Sequence, residues 1–450
     1  MRHCQFTFNL DPSRQRSVNN VIIAFLALTV VFTARCVSAA DIYVPIDGRG
    51  GERIRIAVPE FVSRSGTTGR DVGRQVAEII GRDLDFSGYF DVLNRFQYPP
   101  DFTMMDPSPH RIDFARWTQV HTRDLIHGIC EVRGDRVELE CRLFDVQEGR
   151  QIVGKAYQGD MKMVRRMAHR FADEVVLYHT GRLGIAHTVL AFTSTSKGNK
   201  ELFVCDYDGE NARQVTNDGS ITLSPAWSPD CSKIAYTSYR DGNPDLYVIN
   251  ADGSSPRLLS GVHGLNSSPC WSPSGDAVAL TLSKDGDAEI YLTDMHGKNL
   301  KRLTYDRAID TSPSFSPDGS RIAFVSDRSG GAQIWVVDVD GRNLHRVSYQ
   351  GGRSFEPTWS PLGDKIAYTV DVPGEGFQLY VMNADGSNPA QLTSGPGWNQ
   401  EPAWSPNGTH IVFSSNRDGR WNIYTMRVDG MDVRRVTNLR GENQAPAWSR

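Results

Sequence analysis

The C-terminal half of the chain contains an internal repeat, and a repeat restricts the fold more than any other feature of this sequence. Three series of residues recur there, and each can be aligned without the others. One is the aromatic residue of a Pro-x-aromatic-Ser element, at Trp227, Trp271, Phe315, Trp359, Trp404 and Trp448. The others are a small residue, at Ala191, Ala235, Ala279, Ala323, Ala367 and Val412, and a later aromatic, at Phe203, Tyr247, Tyr291, Trp335, Tyr380 and Tyr424.

Successive members of each series are 44 residues apart, except for a single step of 45. One extra residue between Ala367 and Tyr380 explains the longer step in all three series. Each repeat contains four short β-branched and aromatic runs, which we call strands A to D, and strand A carries the Pro-x-aromatic-Ser element. Turn sequences such as Asp252-Gly253 separate the runs. Four strands per repeat are typical of a β-propeller blade.

The two ends of the repeat region predict how the propeller closes. The first unit begins at strand B, over Val189 to Thr193, and the last strand A, Pro446 to Ser449, has no B, C or D after it. Because the two incomplete units add up to one blade, we predict a six-bladed propeller over residues 184–450. The C-terminal strand A should complete the first blade and close the ring, which removes open sheet edges.

Residues 41–183 lack the repeat and predict a separate α/β domain. Its expected elements are strands at Arg53–Val58 and Tyr89–Leu93, a helix over Val72–Leu84, a hairpin of Leu125–Val132 with Arg136–Val146, and a closing helix over Lys162–Tyr178. Residues 1–39 predict a cleaved export signal, with a basic flank, the apolar run Val21–Phe32 and small residues near the cleavage site at 39–40. A retained membrane anchor is the less favoured alternative.

Composition and motifs argue against several classes of function. The formal net charge of -4 provides no broad positive surface for nucleic acid. The sequence has no Gly-x-Ser-x-Gly, His-Glu-x-x-His or Walker motif, so no enzyme activity and no cofactor are expected. His169 is expected to be a packed or solvated helix residue. Asp206–Gly209 and Asp338–Gly341 resemble the start of a calcium loop, but hairpin turns are the favoured interpretation.

Five cysteines follow the predicted signal, and their spacing matches no zinc site: Cys130, Cys141, Cys205, Cys231 and Cys270. An exported protein can form a disulfide between Cys130 and Cys141, but buried thiols are the favoured state. Glu356 and Glu401 precede the strand A proline and are expected near the mouth of the channel. Solvated carboxylates are the favoured interpretation there, and a divalent ion is the alternative.

Two regions are predicted to bind other proteins. The D–A and B–C loops should share one face of the propeller, and loops on a rigid scaffold commonly carry recognition. Candidate residues in these loops are Tyr239, Arg240, His263, Arg353, Trp398 and Arg417. Residues 41–52 would form the mature N-terminus, where Ile42, Val44 and Ile46 alternate. This segment predicts either an edge strand or a frayed end, or else a strand donated to a partner's sheet.

The sequence resembles the TolB family, the periplasmic propeller proteins of the Tol-Pal system. The resemblance rests on the Ile54–Val58 strand, Leu143–Val146, Ala168–Glu174 and the Trp-Ser-Pro-Asp-Gly-like repeats. It implies a non-catalytic protein whose propeller binds the lipoprotein Pal and whose mature N-terminus, residues 41–52, engages TolA. It also implies a role in outer-membrane integrity and in constriction at cell division. The chain departs from the family pattern in its long leader and at the turn residues Cys231, Ser274 and Leu362. A propeller enzyme (a peptidase or lyase) and a glycan- or ion-binding propeller are the alternatives.

Overall fold

The structure is a computed structural model, and it describes residues 53–100, 111–349, 351–395 and 397–450. The predicted export signal lies outside the described residues, and so does the predicted partner strand with Ile42, Val44 and Ile46.

The first described domain is a mixed sheet with helices, which confirms the predicted α/β class. The strands are β1 (Ile54–Ala57), β2 (Val62–Ser63), β3 (Phe90–Val92), β4 (Asp124–Arg133), β5 (Arg136–Asp145) and β6 (Arg150–Asp160). The helices are α1 (Gly66–Ser87), α2 (Phe114–Gln119) and α3 (Val164–Thr180), with short 3-10 turns at Arg95–Gln97 and Met161–Met163. The strand order is β3-β1-β4-β5-β6, and β2 pairs with β4. β1 runs parallel to its two neighbours, whereas β4, β5 and β6 form an antiparallel meander.

The two long helices form because each has one apolar face and a glycine at its C-terminal end. In α1 the stripe includes Val72, Val76 and Ile80, all of which are buried. The helix ends at Gly88, whose φ of 81° lies in the left-handed region that favours glycine. α3 packs against α1 and against β5 and β6.

The remaining described residues form six antiparallel sheets of four strands each. Blade 1 is β30 (Asn443–Trp448), β7 (Val189–Ser194), β8 (Glu201–Asp206) and β9 (Arg213–Gln214); blade 2 is β10 (Thr222–Trp227), β11 (Lys233–Ser238), β12 (Asp245–Asn250) and β13 (Arg257–Ser260); blade 3 is β14 (Asn266–Trp271), β15 (Ala277–Leu282), β16 (Glu289–Asp294) and β17 (Lys301–Arg302). Blade 4 is β18 (Asp310–Phe315), β19 (Arg321–Ser326), β20 (Gln333–Asp338) and β21 (His345–Arg346); blade 5 is β22 (Ser354–Trp359), β23 (Lys365–Val372), β24 (Gly376–Asn383) and β25 (Ala390–Gln391); blade 6 is β26 (Asn399–Trp404), β27 (His410–Ser415), β28 (Asn422–Arg427) and β29 (Arg434–Arg435).

The ring closes at blade 1, as the sequence predicts. β30 pairs antiparallel with β7, with Trp448 opposite Leu190 and Asn443 opposite Ser194. The indole N–H of Trp448 donates to the Thr188 hydroxyl at 2.7 Å, and both groups are buried. The C-terminal strand is therefore the innermost strand of the first blade.

The aromatic residue that defines the repeat links neighbouring blades. The indole N–H groups of Trp227, Trp271 and Trp404 donate to backbone carbonyls of strand A in the preceding blade, at 3.2, 3.2 and 3.0 Å. Between the blades lie apolar layers, such as the one in which Tyr236 of blade 2 packs with Leu202 of blade 1. These three tryptophans thus link their blades to the preceding ones, whereas the indole of Trp359 donates to the Gly363 carbonyl within its own blade at 3.2 Å.

The α/β domain packs on the A–B and C–D turns of blades 1 and 6. The Phe86 ring, near the end of α1, lies parallel to the His410 ring with centroids 4.4 Å apart. His410 Nε2 lies 3.0 Å from the Phe86 carbonyl oxygen, and Arg434 Nη2 donates to the Asp85 carboxylate at 2.8 Å. The docked domain therefore covers the junction where the ring closes and leaves the D–A and B–C loops uncovered.

Removing residues 443–450 should abolish cooperative unfolding of the propeller. The truncation deletes the inner strand of blade 1 and the buried Trp448. The free energy of unfolding should fall by more than the roughly 3–5 kcal/mol that one buried aromatic side chain contributes. Calorimetry should show a broad transition at lower temperature. Removal of Arg450 alone is the control, because β30 ends at Trp448. A truncated protein that melts like its parent would refute the importance of this closure.

Candidate functional site

All six predicted loop residues lie on the face of the propeller opposite the α/β domain. Because strands alternate in direction within a blade, the B–C and D–A loops emerge at the same end of the strands. We call this surface the loop face. Residues in its B–C loops are Tyr239, Arg240 and Arg417, and residues in its D–A loops are His263, Arg353 and Trp398.

The two B–C arginines are held within their own blades. The Arg240 guanidinium lies 4.1 Å from the centre of the Tyr247 ring and 2.7 Å from the Asp218 carboxylate. The Arg417 guanidinium lies 5.0 Å from the Tyr424 ring and donates to Asn399 at 2.7 Å. Stacking of this kind is favourable when the cation is partly desolvated. The sequence does not distinguish such internal roles from partner contacts.

Blade 5 departs from this arrangement. At the position of Arg240 and Arg417 it has Val372, and its B–C hairpin extends β23 and β24 to 8 residues each. The extra residue in the repeat lies in this hairpin. The hairpin contributes Phe377, whose ring meets the ring of Phe355 at 5.9 Å and the indole of Trp398 at 5.2 Å, both edge to face. An apolar chain of three aromatic rings thus replaces the covering cation.

A cleft of about 670 Å³ lies between the blade 5 hairpin and Trp398. The residues that line it are Gly374, Glu375, Gly376, Ser394, Gly395, Gly397, Trp398 and Asn416. A Cβ atom on Gly376 would lie 2.5 Å from the indole of Trp398, so only glycine allows this close approach. Trp398 remains 48% exposed.

Two exposed tyrosines were not identified as candidates from the sequence. Tyr305 is 74% exposed and Tyr349 is 67% exposed, at equivalent positions of successive D–A loops. Their hydroxyls donate to the carbonyls of Arg302 and Arg346, at 3.1 and 2.9 Å, so the rings are held in fixed positions. The 44-residue spacing of these two tyrosines, which equals the repeat period, is the sequence feature that indicates their equivalent positions on the loop face.

His263 and Arg353 are both exposed, and Arg353 forms an ion pair with Asp371 at 2.8 Å. The Asp206–Gly209 and Asp338–Gly341 segments are hairpin turns, in which the glycine N–H donates to the first aspartate carbonyl. The thiols of Cys130 and Cys141 are free and buried, and burial raises the pKa of Cys130 to about 11. Among the described residues, no group of three or more His, Cys, Asp or Glu side chains is placed to hold a metal.

Glu356 and Glu401 connect the innermost strands of three blades. Each lies in a β-bulge with positive φ, 52° and 57°. The Glu356 carboxylate accepts from the backbone N–H of Glu401 at 2.7 Å, and the Glu401 carboxylate accepts from the N–H of Ala445 at 2.7 Å. Burial, together with the charge of Glu401, raises the pKa of Glu356 to about 7. Both residues are partly exposed, but their carboxylates are hydrogen-bonded to the next blade.

An α/β domain docked on a closed six-bladed propeller places the chain in the class of two-domain propeller proteins. The profile of the TolB β-propeller domain family matches residues 178–375 and 352–450, and that of the TolB amino-terminal domain matches residues 42–152. The chain therefore belongs to the TolB family.

Individual relatives agree with this assignment. The Tol-Pal system protein TolB of Desulfosudis oleivorans is 40% identical over 208 residues, which cover 46% of this chain and 47% of the relative. That of Geobacter sulfurreducens is 37% identical over 212 residues, covering 47% and 48%. These matches span about half the length of the curated relatives.

The crystal structure of TolB from Acinetobacter baumannii matches with a TM-score of 0.77 at 25% identity, covering 89% of this chain and 97% of that one. In the part of the chain that the structure describes, no helix is both long and apolar enough to cross a membrane.

Replacing Glu356 by glutamine should change how stability depends on pH. Because the folded protein raises the pKa of Glu356, the bound proton stabilises it fully below the ordinary value of 4.5. That contribution is lost as the pH rises through about 7. The Tm of E356Q should match the parent at pH 4 and exceed it at pH 8. The exposed Glu375→Gln is the control, and parallel Tm curves for parent and E356Q would contradict the assignment.

Proposed function

We propose that this protein is a periplasmic, non-catalytic scaffold of the Tol-Pal system. Its loop face binds a peptidoglycan-associated lipoprotein of the Pal type, and its mature N-terminus binds a TolA-type inner-membrane protein. In this role it supports outer-membrane integrity and constriction at cell division. Membership of the TolB family supports a role in the Tol-Pal system. The predicted export signal at residues 1–39 supports a periplasmic location.

The observation that carries the lipoprotein part of the proposal is the composition of the uncovered loop face. Tyr, Trp and Arg are enriched in protein-binding hot spots. The rings of Tyr and Trp bury large areas at little entropic cost. The loop face displays Tyr305, Tyr349 and Trp398 as exposed rings on short loops. The Phe355–Phe377–Trp398 chain forms an apolar centre, and Arg353 lies beside it. This arrangement of an apolar centre with a polar rim suits a protein partner.

The placement of the His–Asp pairs supports a non-catalytic role. His169 pairs with Asp83 in the domain interface, and His187 pairs with Asp173 in the segment between the domains. A third pair, His179 with Asp124, is buried inside the α/β domain. None of the three pairs lies on the loop face or in the Trp398 cleft.

One observation favours glycan binding as a second candidate function. An exposed indole beside the polar groups of Glu375, Ser394 and Asn416 is a surface on which a sugar ring can stack and form hydrogen bonds. The lipoprotein proposal involves a wider surface than this cleft, because it includes the two tyrosines of the neighbouring D–A loops.

Trp398→Ala should weaken binding of the Pal-type lipoprotein at least tenfold, about 1.4 kcal/mol, without lowering the Tm of the propeller. The variant removes the exposed end of the aromatic chain and leaves the blade cores intact. Capture from envelope extracts would identify the lipoprotein, and calorimetry with the purified lipoprotein would measure the affinity. Phe96→Ala is the control, because Phe96 is 98% exposed on the other domain. Equal affinity of W398A and parent would exclude this site, and binding of chito-oligosaccharide instead would favour the glycan alternative.

The double variant Ile42→Asp, Val44→Asp should abolish binding of the TolA-type protein and leave lipoprotein binding unchanged. A donated strand depends on its alternating apolar residues to fill the partner's pockets, and two carboxylates cannot occupy them. Pull-down with both purified partners measures the two effects separately. Asp47→Asn is the control in the same segment. Retained TolA binding by the double variant would refute the role of this strand.

A further inference from the structure

Four of the six blades place a cation of their own over the aromatic ring of strand C. The pairs are Arg240 with Tyr247, Lys284 with Tyr291, Arg328 with Trp335 and Arg417 with Tyr424, at 4.1, 5.3, 5.2 and 5.0 Å from the ring centre. Each cation lies two residues after the end of strand B, at the edge of the loop face. A cation over a partly desolvated aromatic ring is favourable. The cation is therefore a regular part of the blade at this end.

Hydrogen-bond acceptors of the same blade hold the arginines in place. In blade 4, Arg328 donates to Asp310, the first residue of strand A, at 2.6 Å. In blade 6, Arg417 donates at 2.7 Å to Asn399, which is the first residue of its own strand A. Arg417 also donates to the Ser415 hydroxyl at 3.0 Å. Neutral acceptors and an aromatic ring are therefore sufficient to hold a guanidinium here.

Blades 2 and 5 have the same pair of tyrosines, but only blade 2 has the arginine. In blade 2 the Arg240 guanidinium donates to the Tyr236 hydroxyl and lies over the Tyr247 ring. The equivalent rings of blade 5 are Tyr368 and Tyr380. Their centroids lie 6.0 Å apart, close to the 5.9 Å of the blade 2 pair. The two blades thus present the same rings to this position.

Blade 5 contains the groups that hold an arginine in the other blades. Val372 lies on the same face of β23 as Tyr368, because alternate residues of a strand share a face. The hydroxyls of Tyr368 and of Ser354, the first residue of strand A, are buried. Neither has a hydrogen-bond partner among the residues that the structure describes. Tyr380 is partly exposed, whereas the three other tyrosines at its position are at most 6% exposed. An uncovered ring and two unpaired acceptors therefore lie where blades 2, 4 and 6 hold an arginine.

The adjacent loop arginine is held on the other side of the sheet. Arg353 forms an ion pair with Asp371 and lies over the Phe355 ring. Asp371 precedes Val372 in β23, so the two side chains point to opposite faces. The three aromatic rings that blade 5 has instead of a cation lie on the Asp371 face too, because Phe377 pairs with Asp371. Neither feature therefore covers the strand C tyrosine from the side on which arginine stacks in the other blades.

We propose that Ser354, Tyr368 and Tyr380 form a slot that takes an arginine side chain from the protein partner of the loop face. The guanidinium stacks on Tyr380 and donates to the two buried hydroxyls. A planar group with donors along its edges matches one ring and two acceptors, whereas an ammonium group does not stack. Blade 3 agrees with this preference, since it has Leu280 where blade 5 has Tyr368, and its cation is Lys284. The identity of the partner as the Pal-type lipoprotein rests on the proposed function.

Binding of Nα-acetyl-arginine amide tests the slot without any protein partner. In the full-length protein with labelled tyrosine rings, NMR should show saturable shifts of Tyr368 and Tyr380 as the amide is added. The amide of Nα-acetyl-citrulline, which is nearly isosteric but uncharged, should bind about tenfold more weakly. Tyr236 and Tyr247 are the internal controls, because Arg240 already covers them. The absence of a saturable shift, or equal binding of the two amides, would overturn the slot.

Val372→Arg supplies the guanidinium from the chain itself, so it should affect stability and binding in opposite directions. The Tm should rise by a few degrees, because two buried hydroxyls gain a hydrogen-bond donor. Affinity for the purified lipoprotein should fall at least tenfold, because the slot is already filled. Ser196→Arg is the matched control and should change neither quantity. Ser196 is the equivalent residue of blade 1, whose rings Phe192 and Phe203 have no hydroxyl.

A second variant makes the test independent of how V372R folds. Tyr368→Phe removes one acceptor and keeps the ring, so it should weaken binding of the arginine amide about tenfold without lowering the Tm. Parental affinity of Y368F for the amide would contradict the slot.

The same measurements separate the slot from the proposed function. If V372R binds the lipoprotein like the parent while W398A does not, the loop face is the binding surface and the slot is wrong. If the parent does not bind the lipoprotein, the proposed partner is wrong, and the amide titration alone decides for or against the slot.

Discussion

The pairing of β30 with β7 is the interaction on which the rest of the structure depends. A ring of blades has no free sheet edge only if the last strand joins the first blade, and an open ring would expose two edges and one apolar layer. The pairing joins residues more than 240 positions apart, so blade 1 is complete only when both ends of the propeller come together. The tryptophans that donate to the preceding blade add further hydrogen bonds between neighbouring blades.

The α/β domain is docked at the point where this closure is made. Phe86, Asp83 and Asp85 of α1 contact Tyr207 of blade 1 and His410 and Arg434 of blade 6, which are the two blades on either side of the junction. Docking therefore stabilises the junction, and an intact junction presents the docking surface.

Much of the fold follows from the sequence, because the repeat is a local pattern with a fixed period. The blade count and the closure follow from three aligned series and two incomplete units. The strand β6 was not predicted, because Gly154, Lys155 and Gly159 interrupt its alternation, and only its pairing with β5 defines it. The interface between the domains was not predictable either. Asp83, His169 and Tyr207 come from three distant segments, and no period relates them.

The candidate site is predictable only to the level of the face that carries it. Loop position places Arg240, Arg417 and Trp398 together, but the sequence does not show that the two arginines are stacked inside their blades while Trp398 is exposed. Trp398 differs from the two arginines because of blade 5, where Val372 stands in place of the stacked cation and the longer hairpin brings Phe377 against Trp398. In a repeat protein the shared residues maintain the scaffold. A binding site for one particular partner therefore depends on residues at which one blade departs from the repeat, since six equivalent blades would offer six equivalent surfaces.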